Sequence, residues 1–321
     1  MIESSPRIGL WGWYNSGKTS YLVALYRDLG IHNKGWRMYP RDIDSEKFIE
    51  MRAKELMPGG YLIGSSDLIE LEERSVEYGF ELVANDRLKP RDYLLTLVDG
   101  KGRFTKSPND VSGYFGELQK CDGIICLIDP EIDASGLLPK PAQFEPGDPP
   151  ESYFELLERL FRKLAMGNLT EKRCLRPHIA FCVNKIDLDE PWQAIKDPAR
   201  NQIGMNPIKD YCHRIIGNQA TQLIQIHCDP RRINYFALSA VGRYDAPAVD
   251  AHGRPTTINR SNYEPAGDRY RIAALDKWNP IGLMEPLKWL FDRIDDEAHG
   301  GRVRNFARGL RPRWLQRNGT R

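Results

Sequence analysis

Arg7-Ile8-Gly9-Leu10-Trp11-Gly12-Trp13-Tyr14-Asn15-Ser16-Gly17-Lys18-Thr19-Ser20 is an apolar run that passes into a glycine-bounded loop and then into helix-forming sequence. Gly12 and Gly17 bracket four residues, and Lys18 and Thr19 follow, which completes the pattern G-x-x-x-x-G-K-[ST]. Wrapping a polyphosphate with successive backbone N–H groups requires glycine wherever a Cβ would block the approach. A helix starting near Lys18 adds its unpaired N–H groups and the positive end of its dipole. In this reading Tyr14, Asn15, Ser16 and Ser20 line the loop, Lys18 reaches the β- and γ-phosphates, and the Thr19 hydroxyl sits on Mg²⁺. The competing reading is an ordinary strand-to-helix turn.

Around that loop the chain of 321 residues is 41% hydrophobic and 28% charged, which is ample material for a core. Its longest apolar runs, Ile8 to Trp11 and Gly123 to Ile128, are too short to cross a bilayer, and no basic-then-apolar leader opens it. A cytoplasmic location is the expectation. The six cysteines form no CxxC pair, so reduced thiols are expected, and the Cys212-His213 and His227-Cys228 pairs lack zinc-ligand spacing. The net charge of +2 conceals a basic end: Gly301 to Arg321 carries seven arginines and no acid, which leaves −5 on the remainder.

Downstream, Ser20 to Leu29 has apolar residues at helical spacing, with Gly30 as its stop. A second amphipathic helix starts at Asp44 and runs through Phe48, Met51, Leu56 and Met57. Pro58 to Ser66 is rich in glycine and hydroxyls and is a mobile-loop candidate. Glu77 to Val83 and Asp92 to Val98 then form an antiparallel hairpin across turn residues 84–91. The second of these strands enters Asp99-Gly100-Lys101-Gly102. A carboxylate at that strand end can hold the hydration shell of Mg²⁺, and Gly102 lets its N–H approach a γ-phosphate. A plain Asp-Gly turn is the alternative there.

Cys121 to Pro130 reads as a buried parallel strand, Glu151 to Met166 as a covering helix, and His178 to Val183 as another buried strand. The latter ends in Asn184-Lys185-Ile186-Asp187. Guanine presents N1–H and N2–H₂ side by side, and the Asp187 carboxylate can accept both, whereas adenine offers no such pair. Lys185 would lie over the base and Asn184 would brace the phosphate loop. The last strand, Asn234 to Leu238, leads into Ser239-Ala240-Val241, where a backbone N–H can donate to the guanine carbonyl. Pro280 opens a final helix through Leu283, Leu287, Leu290 and Ile294.

The ordered series Gly12–Thr19, Asp99–Gly102, Asn184–Asp187 and Ser239–Ala240 resembles the nucleotide-binding boxes of a Ras-like P-loop GTPase. The hairpin ahead of D-x-x-G is similar to the translation-factor-related branch. Among the members, the chain most resembles prokaryotic Ras-like GTPases of multigene clusters, including the double-GTPase families. The resemblance implies an α/β fold: a three-layer P-loop NTPase with a mostly parallel sheet, one antiparallel strand and helices on both faces. The GTPase domain would span residues 1–300 with insertions at 30–57, 130–150, 189–230 and 242–279, followed by a basic tail at 301–321. It also implies GTP or GDP as ligand with Mg²⁺, hydrolysis of GTP to GDP and phosphate, and a switch role toward an effector or activating protein.

Three departures from that family bear on mechanism. Arg103 stands where the family carries a water-orienting glutamine; its guanidinium cannot act as a base but can stabilise charge on the transferred phosphoryl group. No threonine occurs between Leu29 and Glu77, so Ser65 or Ser66 takes the place of the family's γ-phosphate-sensing threonine. Asn15 stands where potassium-stimulated members ligate K⁺, a role that competes with simple bracing of the loop. Trp13 and Tyr14 are bulky for such a loop and are expected to pack outward or over a ribose. The arginine-rich tail admits contact with nucleic acid, with an anionic membrane surface, with an acidic protein surface, or a solvated end. Two functional classes follow: a GTP-hydrolysing switch, and a catalytically weak guanine-nucleotide-binding assembly subunit. An ATP-specific protein is the more distant third.

Overall fold

In the computed structural model, the described residues are 5–13, 16–32, 35–56, 61–62, 76–84, 92–99, 111–131, 152–166, 169–170, 174–197, 202–203, 205–266 and 269–298. The sequence-derived candidates Tyr14, Asn15, Ser65, Ser66, Gly102, Arg103 and the tail lie outside them, and Asp99 is described in its backbone alone.

The first half of the chain builds β1 (Arg7–Gly12), α1 (Lys18–His32), β2 (Trp36–Pro40), α2 (Ile43–Leu56), β3 (Tyr61–Leu62), β4 (Val76–Ala84), β5 (Asp92–Asp99), α3 (Val111–Gln119) and β6 (Gly123–Ile128). The second half adds α4 (Tyr153–Ala165), β7 (His178–Val183), α5 (Asp189–Ile195), β8 (Lys196–Asp197), β9 (Gln202–Ile203), α6 (Met205–His227) and β10 (Ile233–Ala237). Two hairpins, β11 (Arg243–Val249) with β12 (Pro255–Ser261) and β13 (Tyr263–Ala266) with β14 (Arg269–Ile272), precede α7 (Glu285–Ala298).

Seven strands form the central sheet in the order β10-β7-β6-β1-β5-β4-β2. Neighbours are parallel from β10 to β5, and β4 is antiparallel to both β5 and β2, so it alone runs against the rest. The expectation of a mostly parallel sheet with one reversed strand holds. Strands β6 and β7 are buried at every position, as continuous apolar runs require.

Side-chain alternation then divides the interior in two. Trp11, Ile124, Cys126, Ile128, Ile179, Phe181 and Val183 face one core, closed by apolar residues of α3, α4, α5 and α6. Leu10, Ile125, Leu127, Ala180 and Cys182 face the other, closed by α1, α2 and α7. This is a three-layer α/β fold. Helix α4 shows the local logic: Ser152 and Glu155 form a reciprocal capping box, and Leu156, Leu157, Leu160, Phe161 and Leu164 make one buried face.

Several boundaries differ from the sequence reading. Helix α1 does not stop at Gly30 but runs on to His32, whose Nδ1 is 2.8 Å from Asp28 Oδ1 one turn back. A glycine inside a helix costs only about 1 kcal/mol, and beyond the helix end it is Gly35 that takes a positive φ (77°). In α2 the buried face is Phe48, Ile49 and Arg52, while Met51 is exposed. The presumed connection after α1 contains the edge strand β2. Residues 205–227, within the extra length at 189–230, supply Ile208, Tyr211, Cys212, Ile215, Ala220 and Ile224 to the core, across a break at Gly217 (φ 81°).

Candidate functional site

Register brings the candidate loops to one place. Leu10 pairs with Leu97, so Gly12 and Asp99 end their strands at the same level; Gly12 pairs with Leu127, Ile128 with Val183, and Val183 with Ala237. The chain leaves β1 toward β2, β4 and β5 on one side and later fills β6, β7 and β10 on the other, so the order reverses at β1. A crevice outside the carboxyl ends of parallel strands at such a reversal is where ligands bind in open α/β sheets.

The candidate phosphate loop follows β1 at that position. Tyr21 N donates to Gly17 O (2.8 Å), which starts the ladder of α1. Lys18 Nζ donates to Gly12 O and Trp13 O, both at 2.9 Å, so its ammonium is folded back over the loop. Among the described residues the Ser16 Oγ, fully buried, has no hydrogen-bond partner, which costs about 1–3 kcal/mol. At Gly17 (φ +82°) a Cβ would stand 2.4 Å from Asn184 Nδ2, and at Gly12 it would stand 2.4 Å from Ser16 Oγ. These two positions are reserved for glycine by close approach. Trp13 corrects an expectation: it points inward and packs, 9% exposed, in the core beneath α3 and α4.

The loop after β7 meets the phosphate loop directly. Asn184 Nδ2 donates to Ser16 O at 2.7 Å, and both residues are buried. Asp187, 3% exposed, accepts from Ser239 Oγ on Oδ1 and from Ser261 Oγ on Oδ2, each at 2.6 Å. Burial pushes its carboxyl above the ordinary range, while the two hydroxyls and Arg243 pull it down. Val241 N and Gly242 N both donate to Ser239 Oγ, at 3.2 and 2.8 Å, so the Val241 N–H is turned into the loop rather than toward a ligand. Ala240 O accepts from Trp278 Nε1 (2.9 Å), which holds the tripeptide from behind.

Lys185, at φ +53°, brings in two residues that the sequence reading missed. Its ammonium donates to Asp129 Oδ2 at 2.8 Å and to Glu131. Burial alone would lower the Lys185 pKa, but these acids carry it upward; burial raises Asp129 more than the lysine lowers it. Tyr153 OH donates to Asp129 O (2.9 Å) and accepts from Asp129 N (2.6 Å), which fixes the acid from α4. The signal available in sequence was a carboxylate at the end of an apolar strand, in Ile128-Asp129-Pro130. Among the described residues no group of three or more His, Cys, Asp or Glu is disposed to hold a metal, and no helix is long and apolar enough to cross a membrane.

No protein-family model and no curated protein matches the sequence. Similar solved structures include the S. cerevisiae Ski7 GTPase-like domain bound to GDP and inorganic phosphate, with 16% identity, 74% of this chain and 43% of that one covered, and a TM-score of 0.39. The SRβ-GTP/SRX complex of Chaetomium thermophilum gives 13%, 75%, 93% and 0.37. Nucleolar GTP-binding protein 1 of Plasmodium falciparum gives 12%, 93%, 93% and 0.35. The chain spans less than half the length of the Ski7 structure. On its own motifs and strand order, the chain has a P-loop NTPase fold, with its loop motifs in the order of a P-loop GTPase.

Proposed function

We propose that the chain binds guanine nucleotide along the carboxyl edge of its central sheet and hydrolyses GTP to GDP and phosphate, as a nucleotide-dependent switch for a protein partner in the cytoplasm. The observation that carries this reading is the contact between the two ends of the site: Asn184 bonded to Ser16 O of the phosphate loop, three residues ahead of the buried Asp187.

Each role follows from chemistry. The loop N–H groups from Ser16 to Ser20 and the Lys18 ammonium surround the phosphates, and Lys18 exchanges its two carbonyl bonds for phosphate oxygens. Asp187 accepts guanine N1–H and N2–H₂ on its remaining lone pairs. In Ser239-Ala240-Val241 the Ala240 N–H is the donor left for the guanine carbonyl, since Val241 serves the serine. Lys185, held by Asp129, lays its stem over the base.

Thr19, Asp99 and Ser66 would hold Mg²⁺, which when bound neutralises charge between the β- and γ-phosphates. Gly102 and Arg103 are the proposed contacts with the γ-phosphate, and Asn15 is the proposed ligand of K⁺. The alternative, a weakly catalytic assembly subunit, is favoured by Arg103 in place of glutamine and by the missing threonine between Leu29 and Glu77. The basic tail is proposed as a contact for a partner's acidic surface, a nucleic acid or an anionic membrane. Single-turnover hydrolysis of bound GTP, followed in potassium and in sodium buffer, tests the reading. Conversion to GDP that quickens in potassium is expected; GTP retained intact over hours makes the chain an assembly subunit, and equal rates in both buffers remove the cation from Asn15.

A further inference from the structure

Asp187 draws its two hydroxyl donors from different parts of the chain. Ser239 belongs to the sheet edge, two residues past β10, whereas Ser261 is the last residue of β12, 74 positions away in sequence. The strand that carries it is otherwise bathed in solvent: Pro255 to Arg260 are all exposed. A two-stranded ribbon alone in water is marginally stable, so what fixes it is its base. There Arg243 pairs in register with Ser261. The Arg243 side chain, 4% exposed, donates to Asp187 O, to Asp189 Oδ1 (2.8 Å) and to Asn259 O (2.7 Å), and its guanidinium lies 5.2 Å from the Trp192 ring centre.

The next described residues are tied in turn. Asn262 is fully buried; its N–H donates to Gly242 O (2.9 Å), and its side chain bonds Ala274 on both sides, at 3.0 and 2.7 Å. Directly after it β13 pairs with β14, and β14 pairs with β3 through Tyr270–Leu62 and Arg271–Tyr61. Strand β3 falls within Pro58 to Ser66, the mobile-loop candidate that carries the two serines read from sequence as γ-phosphate sensors. The chain running from β12 into β13, and strand pairing from β13 through β14, therefore link the carboxylate loop to β3.

We propose that Ser261 is a positioning residue for Asp187 and that the paired strands β11 to β14 form a strap coupling base occupancy to the Tyr61–Leu62 segment. This rests on the guanine reading above. An ionised carboxylate has about four acceptor sites. Ser239 and Ser261 donate one bond to each oxygen and restrain the group's rotation, and the carboxylate's remaining acceptor capacity is what the adjacent N–H groups of guanine would use. Without Ser261 the Oδ2 side is buried and unpaired, and the carboxylate is free to turn. The strap also senses that bond, because Ser261 Oγ accepts from Tyr263 N (3.1 Å) at the start of β13.

The test compares wild type, Ser261→Ala and Ser261→Thr for binding of GDP and of IDP, which lacks the exocyclic amino group, together with amide exchange at Tyr61–Leu62 with and without GDP. Ser261→Ala is expected to lose about tenfold in GDP affinity, the worth of a bond to a charged group, and to discriminate less between GDP and IDP, while the threonine variant retains both. In wild type, GDP is expected to slow exchange at Tyr61–Leu62, and the alanine variant to lose that slowing. An alanine variant with the wild-type GDP-to-IDP ratio overturns the role of Ser261, whatever its melting temperature; exchange indifferent to bound GDP in wild type overturns the strap, and does so even if the alanine variant fails to fold. Wild type that takes up no GDP ends the guanine reading itself, and this inference with it.

Discussion

The two ends of the site are finished to different degrees. At the proposed base-reading end both carboxylate oxygens of Asp187 carry a hydroxyl, Lys185 is held by Asp129, and Ser239 is saturated by two N–H donors. At the proposed phosphate end Lys18 is bent onto the carbonyls of its own loop, and among the described residues Ser16 Oγ is buried without a partner. On that proposal the first end is preorganised by the protein's own donors, so a base would meet little reorganisation, whereas the second would exchange the Lys18 contacts for those of its ligand. Affinity should accordingly reside in the phosphates and selectivity in the base.

The largest effect that can break this division is expected from Lys18→Ala. Truncating one partner of a buried charged contact costs about 2–5 kcal/mol, so GDP and ADP binding alike should fall by about a hundredfold or more, read by calorimetry, with the melting temperature of the free protein little changed. Loss confined to GDP would place selectivity at the wrong end.

Asp187→Asn should come next and act the other way round. Two bonds to a charged acceptor are lost, worth about 3 kcal/mol together, or roughly a hundredfold in GDP affinity, while ADP binding stays where it was. Competition between the two nucleotides for a fluorescent analogue measures it. Asn184→Ala should cost about 1 kcal/mol, a several-fold loss shared by GDP and GTP, because it loosens the loop rather than removing a ligand contact. A loss as large as that of Lys18→Ala would mean that the brace itself holds the nucleotide.

Acid gives the smallest and most graded effect. Burial raises the Asp187 carboxyl, with Arg243 and the two serines opposing. Guanine requires the ionised form, so GDP affinity should begin to fall with decreasing pH above the ordinary carboxylate range. Stability runs in the opposite direction: a carboxyl raised in the folded state contributes stability that is present at low pH and lost as pH rises through its folded value. A pH titration of GDP binding in wild type and Asp187→Asn separates the two, since the variant should lack the step.

Much of this was legible in the sequence where the chemistry is local. Gly123–Ile128 and His178–Val183 are continuous apolar runs bounded by polar residues, and they are the fully buried strands of the sheet. The hairpin of β4 and β5 was marked by alternation and by turn residues, and Asn184 to Asp187 by its place after a strand. What escaped was non-local or weakly patterned. Ser261 meets Asp187 only because a ribbon folds back over 74 residues, and no spacing announces that. Asp129 pairs with Lys185 across neighbouring strand ends, 56 residues apart. Strand β2, Trp-Arg-Met-Tyr-Pro, alternates in burial about Met38, but it is only five residues long and ends in proline, which weakens a strand signal in sequence. Gly30 was a misleading stop because a glycine inside a well-packed helix is tolerated.

The central claim is that one guanine nucleotide spans Lys18 and Asp187. Calorimetric titration of the intact chain with GDP and with ADP in the presence of magnesium tests it most directly. One GDP bound per chain, with ADP bound at least a hundredfold more weakly, is the expected result; no heat with GDP, or equal affinity for the two, would contradict it.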